Sequence, residues 1–279
     1  TAGRRGRAIA TARTIARTPA AELDEDEAPR RAAAVSEYAA DRLRVPRGYV
    51  PHAKQRVLHH FGRRQREGKL RTVVANCGRR SGKSEAASAW LADSSLGAMA
   101  DKRRGSGRWE GRPQPQWRPG KGRDSEPFLH TLSVAPTYAL LDPNKRKLRR
   151  MLGHVDDPGG GLIVHQTDTR WWMAGGWCHD WRTGDRPERL VADAYDGGHL
   201  DEYARMKAAV WEEHLQPAFA DTGAPCLITS TPLGKANALY RVWALGDPEA
   251  ARELAEETGE EVRTDPRVAC VHWTTMDNT

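Results

Sequence analysis

The chain has 279 residues, enough for one large α/β domain or two small ones, and its formal net charge of +7 favours an anionic partner such as nucleic acid. Its four cysteines lie far apart with no C-x-x-C pair, so neither a zinc site nor a disulfide framework is implied and a reducing compartment fits. No apolar run is long enough to span a membrane, and no signal peptide is recognisable.

The N-terminal part changes from a polar arm to regular elements. Residues 1–45 mix arginine, alanine and threonine with the acidic patch ELDEDE, and we expect a mobile arm that ends in a helix over 31–42. The pattern then predicts a helix over 52–66 and a short buried strand over 70–75. The stretch CGRRSGKS follows this strand directly, and the alanine-rich residues after it predict a helix.

The middle of the chain contains an irregular segment. Residues 97–127 are dense in Gly, Pro and Arg without a hydrophobic period, which predicts an insertion or loop. A strand over 130–135, a helix with a basic face over 138–152 and a hairpin over 170–181 are predicted next.

The remaining pattern completes an α/β architecture. DGGHLDEYA precedes a predicted helix over 207–220, a strand over 225–230 and a helix beginning near Ala236. Strands that alternate with helices across short turns predict a mainly parallel central sheet with helices on both faces.

CGRRSGKS is close to the phosphate-binding pattern G-x-x-x-x-G-K-[ST], but Cys77 stands in place of the first Gly. A strand precedes it and a helix follows, as such a loop requires. In that geometry Lys83 reaches the β and γ phosphates and the Ser84 hydroxyl binds Mg²⁺. The alternative is an ordinary basic turn. The predicted nucleotide-binding residues of the loop are Gly78, Arg79, Arg80, Ser81, Gly82, Lys83 and Ser84.

A carboxylate pair, Asp201 and Glu202, is the second candidate element. At the end of a strand beside the loop, Asp201 would hold Mg²⁺ through water and Glu202 would polarise the attacking water. The alternative is a solvated helix start, because the residues over 196–199 are unusually polar for a buried strand.

The stretch LITSTPLGKAN forms the third element. A strand that ends in Ser230, Thr231 and Pro232 places hydroxyl groups at the carboxyl edge of the sheet, where open α/β sheets bind ligands. The alternative is a Ser/Thr-rich turn before a helix.

Together CGRRSGKS, LSVAPTYALL, VHWTTMDN and the long block from YDGGHLDEYA to ANALYRVW resemble the ATPase half of the large terminase subunit of tailed bacteriophages. The resemblance covers about Tyr49 to the C-terminus and implies a P-loop NTPase fold of the RecA-like (ASCE) type. It implies an ATPase that uses ATP and Mg²⁺, with Lys83, Ser84, Asp201 and Glu202 as nucleotide lysine, metal hydroxyl, metal carboxylate and catalytic carboxylate.

The resemblance assigns three further roles. Arg79 matches an arginine of the phosphate loop that acts on the γ-phosphate, with Arg80 as the competing candidate. Gln55 matches the glutamine that reads adenine, and the alternative is an exposed helix residue. Ser230, Thr231 and Pro232 match the motif that couples hydrolysis to DNA movement.

The resemblance also implies the assembly. We expect double-stranded DNA, the portal protein and the small terminase subunit as partners, a pentameric ring on the portal, no membrane, and the cytoplasm of the infected bacterium as location. The expected domains are an arm over 1–45, an ATPase domain over 46–262 and, over 263–279, the start of a linker toward an absent nuclease domain. No nuclease activity is therefore expected.

A basic helix face is the candidate DNA contact, and a solvated helix face is its alternative. Its residues are Lys145, Arg146, Lys147, Arg149 and Arg150.

Two other functions compete with the packaging motor. A degenerate P-loop module that binds DNA or a partner without turnover is favoured by Cys77 and by the polar residues before Asp201. A two-domain helicase or translocase is disfavoured because little chain follows the TSTP turn.

Overall fold

The structure is a computed structural model that describes residues 49–111, 127–154, 156–157, 160–190 and 193–278. The arm over 1–45, its helix over 31–42 and the 112–126 part of the predicted insertion lie outside the described residues. In the described part, no helix is both long and apolar enough to cross a membrane.

Helices and strands alternate along the chain as the pattern predicts. The α-helices are α1 (Ala53–Arg66), α2 (Lys83–Arg104), α3 (Tyr138–Leu152), α4 (Gln216–Thr222), α5 (Ala238–Ala244) and α6 (Pro248–Thr258). The strands are β1 (Thr72–Cys77), β2 (Leu129–Ala135), β3 (Ile163–Gln166), β4 (Arg170–Met173), β5 (Trp177–Thr183), β6 (Gly197–Asp201), β7 (Cys226–Ser230) and β8 (Val268–Trp273). A π-helix over Val210–Leu215 leads into α4, and 3₁₀ turns cover Gly107–Trp109, Pro187–Leu190, Tyr203–Arg205 and Thr275–Asn278.

The strands form one sheet in the order β3-β4-β5-β2-β6-β7-β1-β8. All pairings from β5 to β8 are parallel, whereas β4 runs antiparallel to both of its neighbours. Since β1, β6 and β7 are adjacent and parallel, their carboxyl ends meet at one edge. The three sequence elements CGRRSGKS, Asp201-Glu202 and TSTP leave the sheet at this edge.

Both faces of the sheet are covered, which confirms the predicted α/β architecture of the P-loop NTPase type. On one face, Val73 and Ala75 of β1 join a core with Leu58 of α1, Trp90 of α2 and Leu141 of α3. On the other face, the sheet packs against the π-helix, α4 and α5. The strands β1, β2 and β6 contribute Val74, Leu132 and Leu200, and the three helices contribute Trp211, Phe219 and Leu239.

The insertion predicted over 97–127 begins later in the structure than its composition indicates. Helix α2 continues through Gly97 to Arg104 and ends where Gly105 adopts a left-handed φ of 64°. Because Met99 and Lys102 are buried, tertiary packing extends the helix into a stretch that the composition assigned to a loop. The sequence at 97–104 is therefore helical, and the irregular segment starts near residue 105.

The predicted linker over 263–279 is wrong for its central part. Residues 268–273 form β8, which pairs in parallel with β1 from Thr72↔Val268 to Cys77↔Trp273. Trp273 is 1% exposed and belongs to the core of the α1–α3 face. The stretch VACVHW therefore belongs to the sheet that carries the phosphate loop.

Candidate nucleotide site

The CGRRSGKS stretch has the strand–loop–helix context of a phosphate-binding loop. Strand β1 ends at Cys77, and α2 begins at Lys83 after Gly82, whose φ of 77° lies in the left-handed region. The Cys77 side chain is fully buried, and its backbone is outside that region. A residue with a Cβ is therefore accommodated at the first position of the pattern, and Gly82 occupies the position that requires glycine.

Glycine at position 78 is explained by the C-terminal strand. A Cβ built on Gly78 would lie 2.9 Å from the backbone nitrogen of Thr275, closer than Cβ atoms approach backbone. The Gly78 N–H donates to the carbonyl of Trp273 at 2.9 Å, and the Thr275 hydroxyl donates to the carbonyl of Arg79 at 2.6 Å. Residues 273–275 thus pack against the phosphate loop and hold it through these hydrogen bonds. Sequence reasoning missed this contact, although the strand-like run VACVHW was a usable signal.

Asp201 is the last residue of a buried strand and Glu202 follows it directly, so this pair is not a solvated helix start. All five residues of β6 are buried. A Cβ on Gly198 would overlap the Phe219 ring of α4 and lie 2.9 Å from Leu132 Cδ2 of β2, so glycine makes room for the packing of α4 against the sheet. The His199 ring is buried, its Nε2 lies 2.9 Å from Thr229 Oγ1, and burial lowers its pKa to about 4.

Lys83 lies between the two carboxylates. Its ammonium donates to Glu202 Oε1 and lies 3.6 Å from Asp201 Oδ1. All three side chains are mostly buried. These ion pairs connect the end of β6 to the phosphate loop, as a nucleotide site with a lysine and two acids requires.

The Asp201 carboxylate accepts three hydrogen bonds. The donors are Thr229 Oγ1 at 2.7 Å, Asn144 Nδ2 at 2.7 Å and the Glu202 N–H at 3.1 Å. Burial alone would raise the pKa of Asp201, but the charge of Lys83 and the bonds from Thr229 and Asn144 outweigh it and hold the pKa below its usual range. The group is therefore an anion at neutral pH, as a metal ligand must be. Sequence reasoning did not identify Asn144.

Glu202 is also bonded to the TSTP turn. The Thr231 hydroxyl donates to Glu202 Oε1 at 3.2 Å, and the Thr231 N–H donates to Oε2 at 3.4 Å. Ser230 Oγ accepts from the Ala204 N–H at 3.1 Å, and Pro232 is exposed just beyond. Glu202 itself has a left-handed φ of 55°, which is uncommon for a non-glycine residue and concentrates at functional sites.

An open cavity of about 280 Å³ lies over this arrangement. Loop residues 78–84, Glu202 and Thr231 line it, together with Leu140, Lys147 and Arg205, which the sequence did not assign to a nucleotide site. Its lining carries five basic side chains and one acidic one: Arg79, Arg80, Lys83, Lys147 and Arg205 against Glu202. This excess of positive charge suits a polyanion such as a triphosphate. Arg79 and Arg80 both reach the cavity, so the choice between them stays open.

Gln55 does not line the cavity. Its side chain is buried, its Oε1 accepts from the His52 N–H at 3.0 Å, and its Nε2 donates to the Gly82 carbonyl at 3.1 Å. In this arrangement the amide caps α1 and ties it to the phosphate loop. The alternative interpretation of Gln55 as an exposed helix residue is therefore wrong. Adenine recognition by Gln55 stays a prediction.

The basic face of α3 is engaged with neighbouring groups. Lys145 donates to the Asp168 carbonyl at 2.7 Å, and Arg149 pairs with Asp157 at 3.3 Å. Lys147 and Arg150 both reach Glu85, Lys147 at 3.9 Å. Arg146 is exposed. DNA contact by this face stays a prediction.

The oxygen-rich donor set suits Mg²⁺. Ser84 at the start of α2 and the ionised Asp201 supply hydroxyl and carboxylate oxygens, the ligands that this hard cation prefers. A second cluster in the described residues, His130, Cys178 and Asp180, has possible ligands within 4.8 Å of one another. There the Asp180 carboxylate is already bound by Arg170 and Arg182, so a divalent cation would meet two guanidinium charges.

In sequence, the chain is similar to terminase large subunits of bacteriophages. No protein-family model matches the chain. The chain is 30% identical over 200 residues to the terminase large subunits of Thermus phage G20c and Thermus virus P23-45, and the match covers 71% of this chain but only 37% of each relative. The solved ATPase domain of the Thermus phage P74-26 large terminase is 23% identical, with a TM-score of 0.49 and 81% of each chain covered.

Proposed function

The chain belongs to the large terminase family of bacteriophages, and on that premise we propose that it hydrolyses ATP to drive double-stranded DNA into a viral procapsid. The position of Glu202 carries this proposal, because its carboxylate contacts the loop lysine Lys83 on one side and the TSTP turn at Thr231 on the other. A group in that position can respond to the nucleotide and act on a neighbouring segment.

The chemistry follows from the charges that surround the cavity. The N–H groups of loop 78–84 and the Lys83 ammonium bind the phosphates, so Lys83 exchanges its carboxylate partner for phosphate oxygens. Glu202, released from that ion pair, accepts a proton from the water that attacks the γ-phosphorus while the bond to the bridging oxygen of ADP breaks. Mg²⁺ held by Ser84 and, through water, by Asp201 would neutralise phosphate charge. Arg79 or Arg80 would stabilise the charge that develops on the γ-phosphate.

Coupling to DNA follows from the contacts of Thr231. When Glu202 moves from Lys83 toward a water, its bonds to the Thr231 hydroxyl and N–H must change. Ser230 is bonded to the segment after Glu202, so the turn and the catalytic carboxylate form one unit. Hydrolysis would thereby shift the exposed turn that begins at Pro232. Thr231→Val removes the hydroxyl bond to Glu202 and should reduce ATP turnover with DNA by a larger factor than turnover without DNA. An equal factor for both would contradict the coupling role.

The degenerate module is less well supported. Cys77 is accommodated in β1, and the polar residues before Asp201 form a buried strand, so the two features that favoured it have structural explanations.

The partners follow from the family. We propose that the chain grips the DNA phosphate backbone, assembles as a pentameric ring on the portal protein, binds the small terminase subunit and acts in the cytoplasm of the infected bacterium. Co-sedimentation with portal protein from the same phage tests the ring, and a chain that stays monomeric on portal would contradict it. Fractionation of infected cells tests the location; recovery in the membrane fraction would contradict it.

ATP turnover with and without linear duplex DNA tests the proposed function. Wild type should release phosphate faster when DNA is present, and Glu202→Gln should be slower by about 10²–10³-fold, the usual loss when a key group of the transition state is removed. The matched control is Glu256→Gln, an exposed acid of α6 that should behave as wild type. A Glu202→Gln rate equal to wild type would overturn the assignment.

A further inference from the structure

Asn144 lies on the buried side of α3, opposite the basic face. Its side chain is 2% exposed, and its Nδ2 donates to Asp201 Oδ2 at 2.7 Å. Helix α3 is thereby fixed to the carboxylate at the end of β6. A neutral amide that donates to an anionic metal ligand fixes the direction of the ligand's oxygens without adding charge.

Asn144 also lies beside the first turn of α2. The Ser88 hydroxyl lies within hydrogen-bond distance of the Ser84 carbonyl at 2.9 Å and of the Asn144 carbonyl at 3.4 Å. Ser88 therefore contacts only backbone carbonyls of α2 and α3, whereas the Asn144 side chain is the group that reaches Asp201.

The second polar atom of the Asn144 side chain lacks a partner. Its Oδ1 is buried and accepts no hydrogen bond from any residue that the structure describes. In folded proteins, most buried side-chain acceptors receive a hydrogen bond from the protein or from bound water. An acceptor without a partner beside a ligand site therefore indicates that a donor binds there. Mg²⁺ in nucleotide sites keeps several of its waters, and each of those waters donates two hydrogen bonds.

We propose that Asn144 is a positioning residue of the metal site, with Nδ2 orienting Asp201 and Oδ1 accepting a hydrogen bond from a Mg²⁺-bound water. This inference rests on the proposed ATPase function and adds a residue to its site. A purely structural role for Asn144, as an anchor of α3, would weaken nucleotide binding equally with and without the metal. If Asn144 is a positioning residue, its loss weakens only the metal-dependent part of nucleotide binding.

Binding of a fluorescent ADP derivative, measured in EDTA and across a series of free Mg²⁺ concentrations, separates the two roles. Asn144→Ala and Asn144→Leu, the latter close to asparagine in volume, should bind the derivative in EDTA as tightly as wild type. The free Mg²⁺ concentration that gives half of the metal-dependent gain should rise about 10–100-fold, the usual loss when a second-shell partner of a metal ligand is removed. The same shift should appear in the Mg²⁺ dependence of ATP turnover.

Ser88→Ala is the matched control, because it alters the same contact between α2 and α3 and leaves Asp201 untouched; it should keep the wild-type Mg²⁺ dependence. Wild-type Mg²⁺ dependence in both Asn144 variants would overturn the proposal, as would equal losses in EDTA and Mg²⁺ or a failure of both variants to fold. If wild type itself shows no Mg²⁺-dependent nucleotide binding, the proposed ATPase function fails, which is a different outcome.

Discussion

The indole nitrogen of Trp273 donates a hydrogen bond to the Ser81 carbonyl at 2.8 Å, so the strand at the C-terminal end of the described chain holds the middle of the phosphate loop. The Trp273 carbonyl in turn accepts the Gly78 N–H at 2.9 Å. One buried residue thereby fixes the loop at two points, 192 positions away in sequence from Ser81. The loop geometry depends on β8 as much as on the loop's own residues.

Trp273→Phe should weaken nucleotide binding. The change keeps an aromatic ring in the core but removes the 2.8 Å bond to the Ser81 carbonyl, which then keeps only the longer contact to His52 Nε2 at 3.5 Å. The loss of such a bond costs about 0.5–1.5 kcal/mol. We expect fluorescent ADP to bind about tenfold more weakly and the melting temperature to fall. His272→Ala changes the exposed neighbour on β8 and should bind as wild type. Unchanged affinity in Trp273→Phe would show that the loop keeps its shape without this bond.

Gly78 and Cys77 should respond in opposite ways to substitution. Gly78→Ala places a Cβ against the Thr275 backbone, and relief of that overlap must move either the loop or the 3₁₀ turn at a cost of about 1–3 kcal/mol. We expect at least tenfold weaker ADP binding. Cys77→Gly should leave binding nearly intact, because this position does not need a left-handed backbone. Should Cys77→Gly raise ATP turnover strongly, the loop with cysteine would be a defective site.

The α/β architecture and the order of its elements could be predicted from the sequence. The hydrophobic run of β1 and the basic pattern of α3 are local signals, and the predicted 138–152 helix coincides with Tyr138–Leu152. Contacts across the sheet could not be predicted in this way. Asn144 reads as one polar residue of a charged helix, and nothing local shows that it faces Asp201. Gly198 suggests an interrupted strand in the sequence, whereas in the structure it leaves space for the Leu132 and Phe219 side chains.

Buried neutral histidines should make the protein acid-sensitive. Burial lowers the pKa of His179 from 6.5 to about 3, and its ring nitrogens lie 2.8 Å from Thr131 Oγ1 and 3.1 Å from Ser133 Oγ. The unfolded chain binds a proton near pH 6.5 and the folded chain does not, so stability falls as pH drops from 6.5 toward 3. His179→Asn should reduce the slope of unfolding free energy against pH by up to about 1.4 kcal/mol per pH unit.

Urea unfolding at pH 7, 6 and 5 checks this, with His272→Asn, an exposed histidine, as the control. A His179→Asn slope equal to wild type would mean that His179 is protonated in the folded protein.

Arg146 tests the DNA-binding prediction for α3. It is exposed, whereas Arg149 and Arg150 are paired with acids. If α3 faces the phosphate backbone, Arg146→Ala should weaken duplex binding about equally for all sequences and lower the salt slope of log K by about 1. Arg252→Ala, on the exposed side of α6, serves as the control. Identical salt slopes in Arg146→Ala and wild type would place the DNA elsewhere on the molecule.

The most direct test separates ATP binding from ATP cleavage in one sample. With excess enzyme and labelled ATP, Glu202→Gln should bind the nucleotide at least as tightly as wild type, since Lys83 loses a competing carboxylate, and should convert almost none of it to ADP in a single turnover. Lys83→Ala should fail to bind, because it removes the cation at the loop. Wild-type cleavage by Glu202→Gln, or tight ATP binding by Lys83→Ala, would contradict the account that these two residues form an ATP-hydrolysing site.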